Sequence, residues 1–345
     1  MAPFTTKLIA VGLSITALAL GRAFFIPIAL ALCFQALLTP LVRGLGRLRI
    51  PAPAGAAIVV LGALAVLVIG GWALSGPARE WVDKAPANIA TARRKLREIG
   101  RPLDRLTAAA VNPQAEPAAA PPPAPPQAAP SSATQSLFAQ LLGRATTVVA
   151  GGLEVIVLLY LMLAAGNMLF RKLVKLFPGP DELRTATDIL NKTESIVSRY
   201  LTVTALINLG QGIAVGLALW AIGTPDPVIW GIVTFVLEFI PYLGGAIIVV
   251  LLLIDGFSVY PGLGQVLLGP AIYLVISTIQ NNVVSPYAYG NRLKLNPLAV
   301  MIFVLFWWFI WGIPGVFLAI PIAATLKVLG DQLPQLAPLG ELLGE

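Results

Sequence analysis

Glu238 is the side chain best placed to do chemistry in this chain. It lies in Phe235-Val236-Leu237-Glu238-Phe239-Ile240-Pro241-Tyr242-Leu243-Gly244-Gly245, inside a long apolar stretch. A carboxylate at that depth is costly unless it faces a bundle interior or an aqueous cavity. Pro241 removes a backbone donor, and Gly244 and Gly245 let the chain turn. The stretch is therefore expected to break near Pro241, as a kinked helix or as a re-entrant hairpin whose freed backbone groups need a protein-lined or wet site. A carboxylate beside such a break suits ion or solute coupling, and it suits an interhelical hydrogen bond equally well.

Three further places carry polar or helix-breaking groups at lipid depth. Asn208 and Gln211 fall within three turns of the pair Gly212 and Gly216. The glycines read as a close helix contact, and the two amides as the lining of a polar path. Gln280, Asn281 and Asn282 are three consecutive amides, which fit a polar vestibule or an interfacial helix end. Gly312, Pro314 and Gly315, with Pro321 beyond them, form a second break in the last apolar run. Glu154 lies nearer a charged loop, and Asp226 and Asp255 read as solvated helix ends.

Other chemistries lack their residues. The chain has no histidine and a single cysteine, Cys33, so the commonest metal ligand and the usual proton shuttle are missing and no intrachain disulfide can form. No glycine-rich phosphate loop ending in Lys-Ser or Lys-Thr occurs. No metal, cofactor or enzymatic activity is expected, and any proton relay must run on carboxylates.

The elements that position these groups follow from composition. Apolar residues make up 57% of the chain and charged residues 11%, against about 25% charged in a soluble domain. Hydrophobic segments fall at about 7–21, 23–41, 54–74, 145–169, 200–222, 228–254, 264–280 and 297–328, and about 20 apolar residues cross the hydrocarbon as a helix. The expected fold is all-α and polytopic, with seven or eight hydrophobic segments broken or re-entrant near Pro241 and Pro314. The first segment follows Lys7 like a signal peptide, but Gly21-Arg22 runs straight into the second, so it reads as a retained helix.

The net charge of +7 reflects basic residues in short loops rather than a nucleic-acid partner. Arg43, Arg47 and Arg49, then Arg171, Lys172, Lys175, Arg184 and Lys192, place two loops on the cytoplasmic side. Residues 75–144 then face outward. They hold helical spacing from Pro77 to about Thr107, followed by a Pro/Ala-rich spacer at 111–132. The expected divisions are 1–74, 75–144, 145–330 with an amphipathic cytoplasmic segment at 171–199, and a tail at 331–345. If 228–254 crosses once, the loop with Arg292 and Lys294 lies outside. If it dips in and returns, that loop is cytoplasmic, as the charge rule prefers.

One ordered series of motifs is familiar. It runs from Tyr200 to Gln211-Gly212, through Leu219-Trp220-Ala221-Ile222-Gly223-Thr224-Pro225 and Phe239-Ile240-Pro241-Tyr242-Leu243-Gly244-Gly245. It continues with Asn281-Asn282, Ser285-Pro286, Gly290, Leu295-Asn296-Pro297-Leu298 and Trp311-Gly312-Ile313-Pro314-Gly315 through Leu318-Ala319-Ile320-Pro321. This series resembles the autoinducer-2 exporter family, closely over about 140–330 and only in general plan before that. Family members often carry an Arg-Asp-Gly turn after the fourth helix, where this chain has Leu163-Ala164-Ala165-Gly166-Asn167.

The resemblance implies a multi-pass permease of the bacterial inner membrane, with some relatives exporting the quorum-sensing signal and others exchanging sodium for protons. The expectation is a secondary transporter of a small polar solute, such as autoinducer-2, with Glu238 in coupling. A sodium/proton antiporter and a non-transporting membrane scaffold are the alternatives. The expected partners are the lipid bilayer, a solute or coupling ion, and further copies of the chain.

Overall fold

The computed structural model describes residues 4–111, 151–166, 180–241, 243–289, 296–333 and 336–344. Apolar helices account for nearly all of them. Helix α1 is Phe4–Leu20, α2 is Arg22–Arg47 and α3 is Ala52–Val111. Helix α4 is Gly151–Ala165 and α5 is Pro180–Ala221. Helix α6 is Pro227–Leu237, α7 is Leu243–Val259, and α8 is Leu263–Ile279, which continues through a π-helical turn at Gln280–Val284 to Tyr289. Helices α9, Pro297–Trp311, and α10, Ile313–Gln332, precede a short α11, Ala337–Leu343. Among the described residues, five helical stretches are long and apolar enough to cross a bilayer: Arg22–Arg47, Ala52–Gly76, Ala186–Ala221, Leu263–Tyr289 and Ile313–Gln332. The protein is an all-α, multi-pass membrane protein.

Two long helices join what the sequence divides. The stretch 77–107, where helical spacing is expected, continues α3 without interruption, so that helix of 60 residues is about 90 Å long at 1.5 Å per residue. Residues 180–199 likewise run straight into the following span as α5. The spacer at 111–132 and residues 171–179 fall outside the described residues, apart from Val111, which ends α3.

The apolar run 228–254 is a hairpin. Helix α6 has 11 residues, about 16 Å, too short to cross about 30 Å of hydrocarbon. It lies antiparallel to the end of α5. A Cβ at Gly212 would stand 2.5 Å from the Gly231 carbonyl, and one at Gly216 3.3 Å from the Pro227 carbonyl. The chain turns over 238–241, and α7 returns antiparallel to α8, with Gly245 against Tyr273 and Gly256 against Val266. The two open ends meet again where the Tyr260 hydroxyl donates to Thr224 Oγ1 at 3.3 Å. The glycine pair of α5 thus serves close packing, because only hydrogen leaves room for a neighbouring backbone.

The last apolar run, 297–328, is also two antiparallel helices. Its turn is Gly312, at φ +64°, a left-handed conformation that favours glycine. At Gly315 a Cβ would stand 2.1 Å from the Trp307 carbonyl. The open end is tied off where the Asn296 N–H donates to the Leu343 carbonyl at 3.0 Å.

Helix α5 is the ruler that shows how the hairpins face. The open end of α6–α7 lies beside the C-terminal turns of α5, whereas Pro321 and Thr325 of α10 share a cavity with Thr187, Asn191 and Glu194 near its start. The two hairpins therefore enter from opposite ends, and their tips meet midway. Phe239 packs on Phe317 with ring centroids 5.7 Å apart, and Ile240 joins the core of Trp311, Val316 and Leu318. Tyr289 lies against Tyr200, which puts the end of α8 toward the start of α5. Arg292 and Lys294, on which the sequence-based choice of side rests, fall outside the described residues.

Candidate functional site

Glu238 sits at the tip of the first hairpin, where α6 ends. Its N–H donates to the Thr234 carbonyl, and its side chain is half-buried. Oε1 accepts two hydrogen bonds, from Gln211 Nε2 at 2.9 Å and from the Tyr273 hydroxyl at 2.5 Å. Bonds to an ionised acceptor are the strong kind, shorter than those between neutral groups. Gly245 makes this possible, since a Cβ there would stand 2.8 Å from the Tyr273 hydroxyl.

Helix α5 extends the site into a seam. Tyr200, Thr204, Asn208 and Gln211 follow at intervals of four, four and three residues, which places them on one face of a helix. Thr204 Oγ1 lies 2.9 Å from the Tyr289 hydroxyl, and the Tyr200 and Tyr289 rings stack at 5.8 Å. Asn208 is 3% exposed and Gln211 4%. Asn208 Nδ2, Gln211 Oε1, Thr234 Oγ1 and Gln280 Oε1 are buried with no hydrogen-bond partner among the described residues. Each such group costs about 1–3 kcal/mol if left unsatisfied. The seam thus gathers several buried polar atoms whose hydrogen bonds the described residues do not supply.

Of the residues singled out from the sequence, the structure brings Glu238, Gln211 and Asn208 to this seam. Gln280 sits on the α8 side, donating to Ser285 Oγ at 2.9 Å within a π-helical turn, a distortion common at functional sites. Asn281 and Asn282 are exposed and bond within their own helix, to Ser277 Oγ and the Thr278 carbonyl. Pro241, Gly244 and Gly245 form the first hairpin's turn, where a Cβ at Gly244 would stand 2.0 Å from the Leu237 carbonyl. Gly312, Pro314 and Gly315 form the second. Tyr242 lies outside the described residues.

Glu154 is exposed, and so is Asp226, at the cap of α6. Asp255 is not the solvated helix end expected. It is 7% exposed, inside α7, and has a partner. The return of the chain through α7 buries it. Sequence reasoning missed Tyr273, Thr234, Thr204 and Tyr289, all uncharged residues whose role depends on a neighbouring helix. The regular spacing from Tyr200 to Gln211 was the one available signal. Among the described residues, no group of three His, Cys, Asp or Glu is placed to hold a metal ion.

Two opposed hairpins meeting inside a bundle, with a carboxylate at one tip, define the class: a polytopic membrane protein with broken helices at its centre, the architecture that lines solute and ion sites in transporters. Residues 8–335 match the family described as AI-2E family transporter, and the chain belongs to that family. It is 30% identical over 193 residues to a protein of Borreliella burgdorferi, which is 55% of this chain and 52% of the relative. It is 27% identical over 196 residues to one of Haemophilus influenzae, 55% of each. Both are named "Putative transport protein". The AI-2 transport protein TqsA of Escherichia coli is 29% identical over 136 residues, 39% of each chain. The chain thus spans about half the length, or less, of these curated relatives.

Proposed function

We propose that this protein is a secondary transporter that moves a small polar solute across a bacterial inner membrane, with Glu238 as the coupling carboxylate. The observation that carries the proposal is the seam. An ionisable group at a hairpin tip, bonded to two different helices, changes those bonds when it gains a proton or a cation. Protonation of Glu238 would weaken its hold on Gln211 of α5 and Tyr273 of α8, and so loosen the first hairpin. The C-terminal end of α6 adds partial negative charge at the same place, which suits a bound cation. The surrounding partner is the bilayer. The window within Ala52–Gly76 is 6% buried, so α3 offers its apolar sides to lipid or to further copies of the chain.

Autoinducer-2 is the solute we propose first, supported by family membership and by the name of TqsA. The test compares the signal inside and outside cells making no protein, wild type, or Glu238→Gln at matched membrane levels. Faster release with wild type, lost in the variant, is the expected result. Unchanged release with wild type removes this solute. A fully active Glu238→Gln, with its pH dependence intact, removes the coupling role.

A further inference from the structure

A second cavity lies away from Glu238, between α2, α5 and α10. Its volume is about 380 Å³, within the range of small-molecule sites. Its walls are mostly apolar, including Ala29, Cys33, Val197, Leu318 and Ile322, and a band of polar side chains crosses them: Gln35, Thr39, Asn191, Thr193, Glu194 and Thr325. Gln35, 8% exposed, puts an amide on this wall, and polar groups at such depth face a cavity or a bundle interior.

The band's hydrogen-bonding pattern constrains the occupant. The Thr39 hydroxyl donates to the Gln35 carbonyl at 2.6 Å, and the Thr325 hydroxyl donates to the Pro321 carbonyl at 2.8 Å. Both hydroxyls have spent their proton on their own helix and keep lone pairs to accept. Pro40 has no N–H to offer the carbonyl of Ala36, which is also a wall residue. Charge is already balanced. Glu194 Oε1 accepts from Arg43 Nη2 at 2.6 Å, and Arg43 lies one turn beyond Thr39, so the ion pair stands at one end of the cavity. An occupant that brings its own O–H donors and no charge fits this wall.

We propose that this cavity is a binding site for an uncharged, hydroxylated molecule of about five to eight carbons, apolar on one side, with Gln35, Thr39, Asn191 and Thr325 reading its hydroxyl groups. Calling that occupant cargo rests on the transport reading; the binding itself does not.

Cys33, the chain's single cysteine, lies in the wall and reports occupancy without any transport assay. Purified full-length protein in nanodiscs is alkylated with iodoacetamide and followed by intact mass. A Cys33→Ala, Leu32→Cys protein, whose thiol stands at a more exposed wall position outside the polar band, serves as a second reporter. The expected result is that 20 mM hexane-1,2-diol slows alkylation at least threefold, whereas sucrose, polar on every side and unsuited to a mostly apolar wall, does not. In an Asn191→Leu, Thr325→Val background the diol's protection is expected to vanish while the rate without diol stays within twofold. Equal protection in that background would show an apolar crevice and overturn the proposal. So would the absence of protection, or the failure of both reporters to react. Diol protection that persists while autoinducer-2 release fails would count against the transport reading alone.

Discussion

The hydroxyl of Tyr273 on α8 lies 2.5 Å from the carboxylate of Glu238 at the tip of the first hairpin, in space that Gly245 leaves open. This bond and the one from Gln211 tie the hairpin tip to two different helices.

Tyr273→Phe removes one bond to the carboxylate and keeps the ring. A hydrogen bond to a charged group is worth about 1.5–3 kcal/mol, so the purified variant should unfold at a lower temperature and release solute more slowly. Gly245→Val should be worse in both respects, because its side chain enters the space of the hydroxyl. A Tyr273→Phe protein matching wild type in melting and release would show that the contact carries nothing.

The hairpin reading of 228–254 makes a sidedness prediction. Thr224 and Tyr260 bond to one another at 3.3 Å, so cysteines at either position, in a Cys33→Ala background, should react with a membrane-impermeant maleimide from the same side of intact cells. Opposite sidedness would mean that the run crosses the bilayer once.

Close backbone approach at the α5–α6 contact leaves no space for side chains. Gly231→Leu should separate the two helices, since even a Cβ would stand 2.8 Å from the Gly212 carbonyl. Overpacking of this kind costs about 1–3 kcal/mol or more. Gly210 has nothing within 4 Å of its Cβ position, so Gly210→Ala should be tolerated. Size-exclusion profiles in detergent should show loss of the monodisperse peak in the first variant only.

Lys95 of the α3 extension donates to the carbonyls of Phe257 and Tyr260 at 2.7 and 2.8 Å. It thereby satisfies carbonyls that the end of α7 leaves without helical donors. Lys95→Met should keep the stem and lose both bonds. Amide exchange is the measurement: faster exchange across 256–260 is expected, with the α5–α6 contact unaffected.

Composition and run length alone determined that this is a helical membrane protein, because about 20 consecutive apolar residues have no other stable place than a bilayer. The breaks were legible for a local reason. Pro241 and Gly312 act on their own backbone, so Pro-Tyr-Leu-Gly-Gly and Gly-Ile-Pro-Gly reveal a turn whatever surrounds them. Glu238 stood out in the same way, as a charge whose cost depends on depth.

What the chain does at each break was decided only by tertiary packing. Whether α6 continues across or folds back depends on Gly231 finding Gly212 and on Tyr260 finding Thr224, contacts between residues 19 and 36 positions apart. Asp255, by its spacing, could have ended a helix in water, and it was buried by the return of α7. Tyr273 carries no charge to draw notice and gains its role from a carboxylate 35 residues away. The cavity beside Gln35 needs α2, α5 and α10 together. Such relations depend on surfaces meeting in three dimensions, and no single stretch of sequence contains both surfaces.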